Sequence, residues 1–198
     1  DAGPRATKAG AANTLVFRQD GSIYADNTDG VGLVNDIQVN HHYQLAGRDI
    51  LILGAGGAVR GVLKPLIDEK PAAITIANRT IEKAQQLQSL YVDEFPITVC
   101  EFSELQGRQF DIVINGTSLG LQGKVAPVPD GLFAESALAY DMMYGEGSLP
   151  FQQWATAQGA DMALDGLGML VGQAAESFYI WRGVRPDTMP VIRQLRSA

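Results

Sequence analysis

The sequence carries a single cysteine, Cys100, so an internal disulfide framework is excluded. A reducing, cytoplasmic setting is therefore the default expectation. No apolar run approaches the roughly 18 residues needed to cross a bilayer, and no signal-peptide pattern is present. Positive charge is scarce: 15 Lys and Arg stand against 22 Asp and Glu, for a formal charge of −7. Without a basic run, neither nucleic acid nor an anionic membrane surface is an expected partner. Histidine is nearly absent. His41 and His42 are adjacent and have no carboxylate or cysteine ligands at metal-site spacing, so both read as exposed and no metal site is expected. Low-complexity segments and internal repeats are also missing. The chain opens on Asp1 rather than Met, and residues 1–10 read as the middle of something longer.

What is present is an ordinary globular composition, 46% apolar, with an excess of glycine (22 of 198 residues). Residues 14–26 read as a β-hairpin: Thr14 to Phe17, a turn at Asp20-Gly21, then Ile23 to Ala25. A helix follows Gly30, with apolar residues at Val31, Val34 and Ile37, and Val39 to Gly47 reads as an exposed linker. From Asp49 the pattern alternates. Ile50 to Leu53 is an apolar run of the kind buried on both faces of a parallel sheet. A helix follows, with Pro65 expected to kink or shorten it. Further strands are expected at 74–77, 97–100, 110–114, 137–142 and 161–164, with helices between them. A long helix runs from Leu167 to Trp181, and a last one from Pro186 to Leu195. This alternation implies an α/β, doubly wound parallel sheet, a Rossmann-like dinucleotide-binding fold.

The first strand runs into Gly54-Ala55-Gly56-Gly57-Ala58. Glycines there permit a tight turn and let a pyrophosphate approach the backbone, where the helix N-terminus offers unpaired N–H groups. The third fingerprint position is Val59, where glycine or alanine usually lets the helix pack closely on the strand. The tip of the second strand, about 20 residues on, would carry an acid in an NAD site. Here it reads Asn78-Arg79-Thr80, with Lys83 one turn later. A guanidinium, a hydroxyl and an ammonium suit a 2′-phosphate, so the expected cofactor is NADP.

Ligands of open parallel sheets bind at the carboxyl ends of strands. Asn115-Gly116-Thr117-Ser118 and Asp141-Met142-Met143-Tyr144 occupy such ends. Asn13, Asp26, Asn27, Thr28 and Asp29 lie just outside the dinucleotide pattern, and Gln173 is the polar residue of an otherwise apolar helical stretch. Each has a structural reading too: Asp29 as a helix cap, Asn115 as a loop hydrogen-bonder, Tyr144 as a packed ring, Gln173 as an internal hydrogen bond. Spacing alone does not separate these from functional roles.

In combination, these motifs resemble the shikimate dehydrogenase family, which reduces 3-dehydroshikimate to shikimate with NADPH in aromatic amino-acid biosynthesis. The resemblance is carried in order by Gly10-Ala11-Ala12-Asn13-Thr14, Asp26-Asn27-Thr28-Asp29-Gly30, the glycine loop followed by Arg60, Asn78-Arg79-Thr80, Asn115-Gly116-Thr117, Tyr140-Asp141-Met142 with Tyr144, and Asp165 to Leu170 with Gln173. It implies that Asn13, Asp29, Tyr144 and Gln173 contact the substrate, with Asp29 the carboxylate of the catalytic pair. It implies an NADP site made of Gly54, Ala55, Gly56, Gly57, Ala58, Asn78, Arg79, Thr80, Lys83, Met142 and Gly166.

The resemblance also exposes a departure. The family's leading α/β substrate domain carries a Ser-x-Ser pair and an Asn-Val-Thr-x-Pro-x-Lys stretch, whose lysine completes the catalytic pair. Neither occurs in these 198 residues. Residues 1–29 are therefore expected to be the remnant of that domain, and residues 30–198 the NADP-binding domain. The chain is expected to bind NADP(H) but to turn over shikimate weakly or not at all. Surfaces on the hairpin and around Met189, Val191, Ile192 and Leu195 are expected to lack partners and to favour self-association. A non-catalytic NADP-binding module and an NAD-using quinate/shikimate dehydrogenase are the competing readings, the latter disfavoured by the missing acid near Asn78. A glutamyl-tRNA reductase would not be expected to carry Asp-Asn-Thr-Asp-Gly.

Overall fold

A computed structural model describes residues 1–197. In chain order the elements are α1 (Pro4–Ala9), β1 (Thr14–Phe17), β2 (Ile23–Asp26), α2 (Asp29–Asn35), β3 (Asp49–Leu53), α3 (Gly57–Asp68), β4 (Ala73–Ala77), α4 (Ile81–Ser89), β5 (Ile97–Cys100), β6 (Phe110–Asn115), β7 (Phe133–Asp141), α5 (Leu149–Ala157), β8 (Met162–Leu164), α6 (Leu167–Arg182) and α7 (Met189–Arg196). They group into two units. One comprises residues 1–45, 60–69 and 167–198; the other comprises 46–59 and 70–166.

The second unit holds a six-stranded sheet in the order β5-β4-β3-β6-β7-β8, every pairing parallel. The α/β doubly wound reading therefore stands. Strand order reverses direction between β3 and β6, so the loops leaving these two neighbours diverge and open a crevice at their carboxyl ends. Ile50, Leu51, Ile52 and Leu53 of β3 are fully buried, as expected of a strand covered on both faces. One face packs on Phe102, Phe110, Val113, Phe133 and Phe151.

The structure redraws several expected boundaries. β7 starts at Phe133, not at 137, because its first residue pairs with Phe110 before the register shifts ahead of Ile112–Leu138. Ser136 sits there in a left-handed conformation (φ 60°), the mark of an irregular strand. The linker at 39–47 is only partly exposed. A π-turn over Asp36–Asn40 extends α2, and Leu45 is fully buried. Half-buried His41 faces Asp36 at 3.7 Å, so only His42 is exposed as expected. The last helix begins at Met189 rather than Pro186.

In the first unit β1 and β2 form the expected antiparallel hairpin. Its helices approach unusually closely. A methyl group at Gly32 of α2 would meet the Met169 carbonyl and the Gln173 amide of α6, and one at Gly172 would press on Gly32. Two glycines thus let the α2 and α6 backbones cross nearly in contact, which brings Gln173 to the start of α2. Pro65 neither ends nor shortens α3, which runs on to Asp68. Its ring and the Gly61 carbonyl lie where a side chain on Gly30 would project.

Candidate functional site

The crevice of the sheet unit is a groove of about 530 Å³ lined by the loops after β3, β4, β5 and β6. Gly54, Ala55 and Gly56 form one wall; Asn78 and Arg79 stand at the tip of β4; Gly116, Thr117 and Ser118 follow β6; and Phe102, Val125 and Pro127 add apolar surface. Gly54 adopts φ +103°, where an L side chain is strained, and its α-carbon region faces the Gly116 carbonyl. A methyl at Gly56 or Gly57 would meet nothing within 4 Å, so the backbone at the start of α3 is open to a ligand. These N–H groups at a helix N-terminus suit a phosphate.

The valine at the third fingerprint position has a local explanation. Val59 is fully buried, and a Cβ on Gly116 would overlap its Cγ2. The space usually freed on the helix is freed on the loop after β6 instead.

At the β4 tip, the Asn78 side chain donates to the Thr80 carbonyl at 2.7 Å and shapes the turn. Arg79 is exposed, lines the groove, and has no partner among the described residues. Gly57, Ala58, Thr80 and Lys83 adjoin the groove in sequence but are not part of its lining, and neither are Met142 and Gly166. Lys124, a lining residue, was not singled out from the sequence. Only its position in a glycine-flanked turn before Pro127 could have drawn attention to it.

At the end of β7, Asp141 is fully buried. Its Oδ1 accepts the Met143 N–H at 2.9 Å, and its Oδ2 has no partner among the described residues. Burial pushes its carboxyl up to about 6. Asn115 is also buried and accepts from the Thr117 N–H (3.1 Å) and hydroxyl (2.8 Å). Tyr144 is 52% exposed on the loop that follows.

The first unit gathers Asn13, Thr28, Asp29 and Gln173. The backbone N–H of Thr28 donates to Asn13 Oδ1 at 3.0 Å, which fixes the oxygen end of that amide. The Nδ2 end therefore faces Asp29 Oδ1 at 2.8 Å and Gln173 Oε1 at 3.4 Å. Asp29 is the first residue of α2, and its own N–H is held by Asn27 Oδ1 at 3.1 Å. Half-burial raises its pKa, and the hydrogen bonds from Asn13 and Asn27 oppose that. Behind the cluster, buried Ser177 and Thr14 approach to 2.6 Å, and the Thr28 hydroxyl lies 3.2 Å from Ser177. Arg5 bridges Asp26 and buried Glu176, which anchors α1 and the hairpin to α6. Arg60 donates to the Lys8 carbonyl at 3.1 Å and so holds the end of α1. Among the described residues no group of three His, Cys, Asp or Glu side chains is placed to hold a metal.

Comparison with known proteins gives matches along the chain. The profile described as "Shikimate / quinate 5-dehydrogenase" matches residues 36–121, and that of the "Shikimate 5'-dehydrogenase C-terminal domain" matches residues 166–196. A "Shikimate dehydrogenase (NADP(+))" of Nitrosospira multiformis is 55% identical over 98% of this chain and 70% of its own length. One of Alkalilimnicola ehrlichii is 56% identical over 98% of this chain and 71% of its own length. Among solved structures, the Ael1 enzyme from Pseudomonas putida superposes with a TM-score of 0.90 at 46% identity, over 98% of this chain and 71% of that one.

Proposed function

The chain belongs to the shikimate dehydrogenase family, and from that premise we propose that it binds NADP(H) in the glycine groove and contributes the cofactor half of an NADP-dependent shikimate dehydrogenase of aromatic amino-acid biosynthesis. The observation that carries this reading is the groove itself. It pairs an open backbone at Gly56 with an unpaired guanidinium at Arg79, and has no carboxylate in its lining. An acid there would repel a 2′-phosphate; Arg79 attracts it.

When bound, the cofactor supplies hydride at its nicotinamide C4 for the carbonyl carbon of 3-dehydroshikimate. The protein residues orient the reactants and manage the proton. The backbone at the start of α3 would hold the diphosphate, while Asn78, Arg79, Thr80 and Lys83 would serve the phosphorylated ribose. Met142 and Gly166 are assigned to the nicotinamide end. Asn13 and Gln173 hold substrate hydroxyls, Tyr144 is a further contact, and Asp29 is the carboxylate of the acid–base pair. A raised pKa suits Asp29 to sharing a proton with a partner, since its charged form is already disfavoured by burial.

In reduction, the substrate oxygen gains a proton as its carbon gains hydride. These 198 residues contain no Asn-Val-Thr-x-Pro-x-Lys stretch, so the lysine that delivers this proton in the family is not among them. By itself the chain therefore binds NADPH and reduces 3-dehydroshikimate negligibly. Absorbance at 340 nm tests this: with NADP+ and shikimate no rise above background is expected, and turnover at an ordinary enzymatic rate overturns the assignment. Buried, unpaired Cys100, whose thiol is pushed up by burial, suits the cytoplasmic setting we assign to it. No described helix is long and apolar enough to cross a membrane.

A further inference from the structure

We propose that Lys124 is a further cation for the cofactor's 2′-phosphate, supplied by the loop between β6 and β7 rather than by the tip of β4 and the helix that follows it. The inference rests on the NADP reading of the groove. The sheet unit is acidic, with 13 Asp and Glu against six Lys and Arg in residues 46–59 and 70–166. Yet the groove lining contains two cations, Arg79 and Lys124, and no acid. Neither cation has a side-chain partner among the described residues, so neither charge is neutralised by the protein.

The loop that carries Lys124 is anchored. Gly123 takes the left-handed conformation at φ +67°, its N–H donates to the Gly120 carbonyl at 3.0 Å, and the Lys124 N–H donates to the Leu119 carbonyl at 3.1 Å. This turn sets the root of the Lys124 side chain and leaves its stem and ammonium free. The next residues into the groove wall, Val125 and Pro127, share that wall with Phe102. Such apolar surface suits a flat base rather than a phosphate, whereas the diphosphate has the α3 N-terminus. Lys124 therefore belongs with the adenosine half of the ligand. There the charge that distinguishes NADPH from NADH is the 2′-phosphate.

The test is a fluorescence titration of this chain with NADPH and with NADH, for wild type, Lys124→Met, Lys124→Glu and Arg79→Met. Lys124→Met should weaken NADPH by roughly three- to tenfold and Lys124→Glu by more, with the loss shrinking at high salt. NADH affinity should change less than about twofold, because it lacks the group contacted. Unchanged NADPH affinity in both Lys124 variants, or an equal loss for both nucleotides, overturns the assignment. If Arg79→Met weakens NADPH while Lys124→Met does not, only Lys124 is misassigned. If wild type binds neither nucleotide, the reading of the groove itself fails.

Discussion

Asn13 holds Asp29 by a 2.8 Å hydrogen bond from its Nδ2 to the carboxylate Oδ1, and the amide is locked in that orientation by the Thr28 backbone on its other side. The bond stabilises the charged form of a carboxyl that burial pushes the other way. Removing it with Asn13→Ala should move the Asp29 pKa further up, as read by carbon NMR of the side-chain carboxyl. An unchanged titration would mean that Asn13 does not set the protonation of Asp29.

Val59 and Gly116 form a complementary pair, in which the larger residue on α3 is admitted by the missing side chain after β6. Gly116→Ala should cost about 1–3 kcal/mol by overpacking. Combined with Val59→Ala, the loss should be smaller than the sum of the two single losses by about 1 kcal/mol. Urea unfolding of the four proteins measures this. Strict additivity would contradict the contact.

Asp141 ties stability to pH. Its pKa rises from 3.8 to about 6 on folding, so the folded chain holds this proton more tightly than the unfolded one. The contribution to stability is full below about pH 4 and is lost as pH rises through 6, by about 1–3 kcal/mol in total. Asp141→Asn should flatten this part of the profile in urea unfolding followed from pH 4 to 7.5. A variant with the wild-type slope would place the proton elsewhere.

The hairpin presents Leu15, Phe17 and Ile23 as exposed apolar side chains, with Phe17 74% exposed and paired in register with Ile23. On α7, Ile192 is buried against Leu167 and Val171, while Val191 and Leu195 remain exposed. The expectation that α7's apolar residues lack partners therefore fails at Ile192 and at half-buried Met189, which packs against the same cluster. Self-association through the hairpin face predicts a mass that rises with concentration in light scattering and falls toward the monomer in Phe17→Ser. A strictly monomeric wild type contradicts it.

Much of this architecture was legible in the chain. Ile50 to Leu53 running into glycines specifies a buried strand and its turn from local chemistry alone, and the strand tip Asn78-Arg79-Thr80 carries a cation and no acid. What stayed hidden depends on contacts distant in sequence. Val59 looked like a defect until Gly116 was placed beside it. Pro65 looked like a break, because nothing local announces that Gly30 leaves room for its ring. The closeness of Asn13, Asp29 and Gln173 rests on the Gly32–Gly172 crossing of α2 and α6, which no periodicity reveals. Lys124 escaped notice because an isolated lysine in a loop carries no pattern; only the groove gives it neighbours.

The groove selects a phosphorylated nicotinamide dinucleotide. Calorimetric titration of the 198-residue chain with NADPH and with NADH tests it most directly. NADPH is expected to bind at least about tenfold more tightly, a difference of about 1.4 kcal/mol. Equal affinities, or a preference for NADH, would contradict the account.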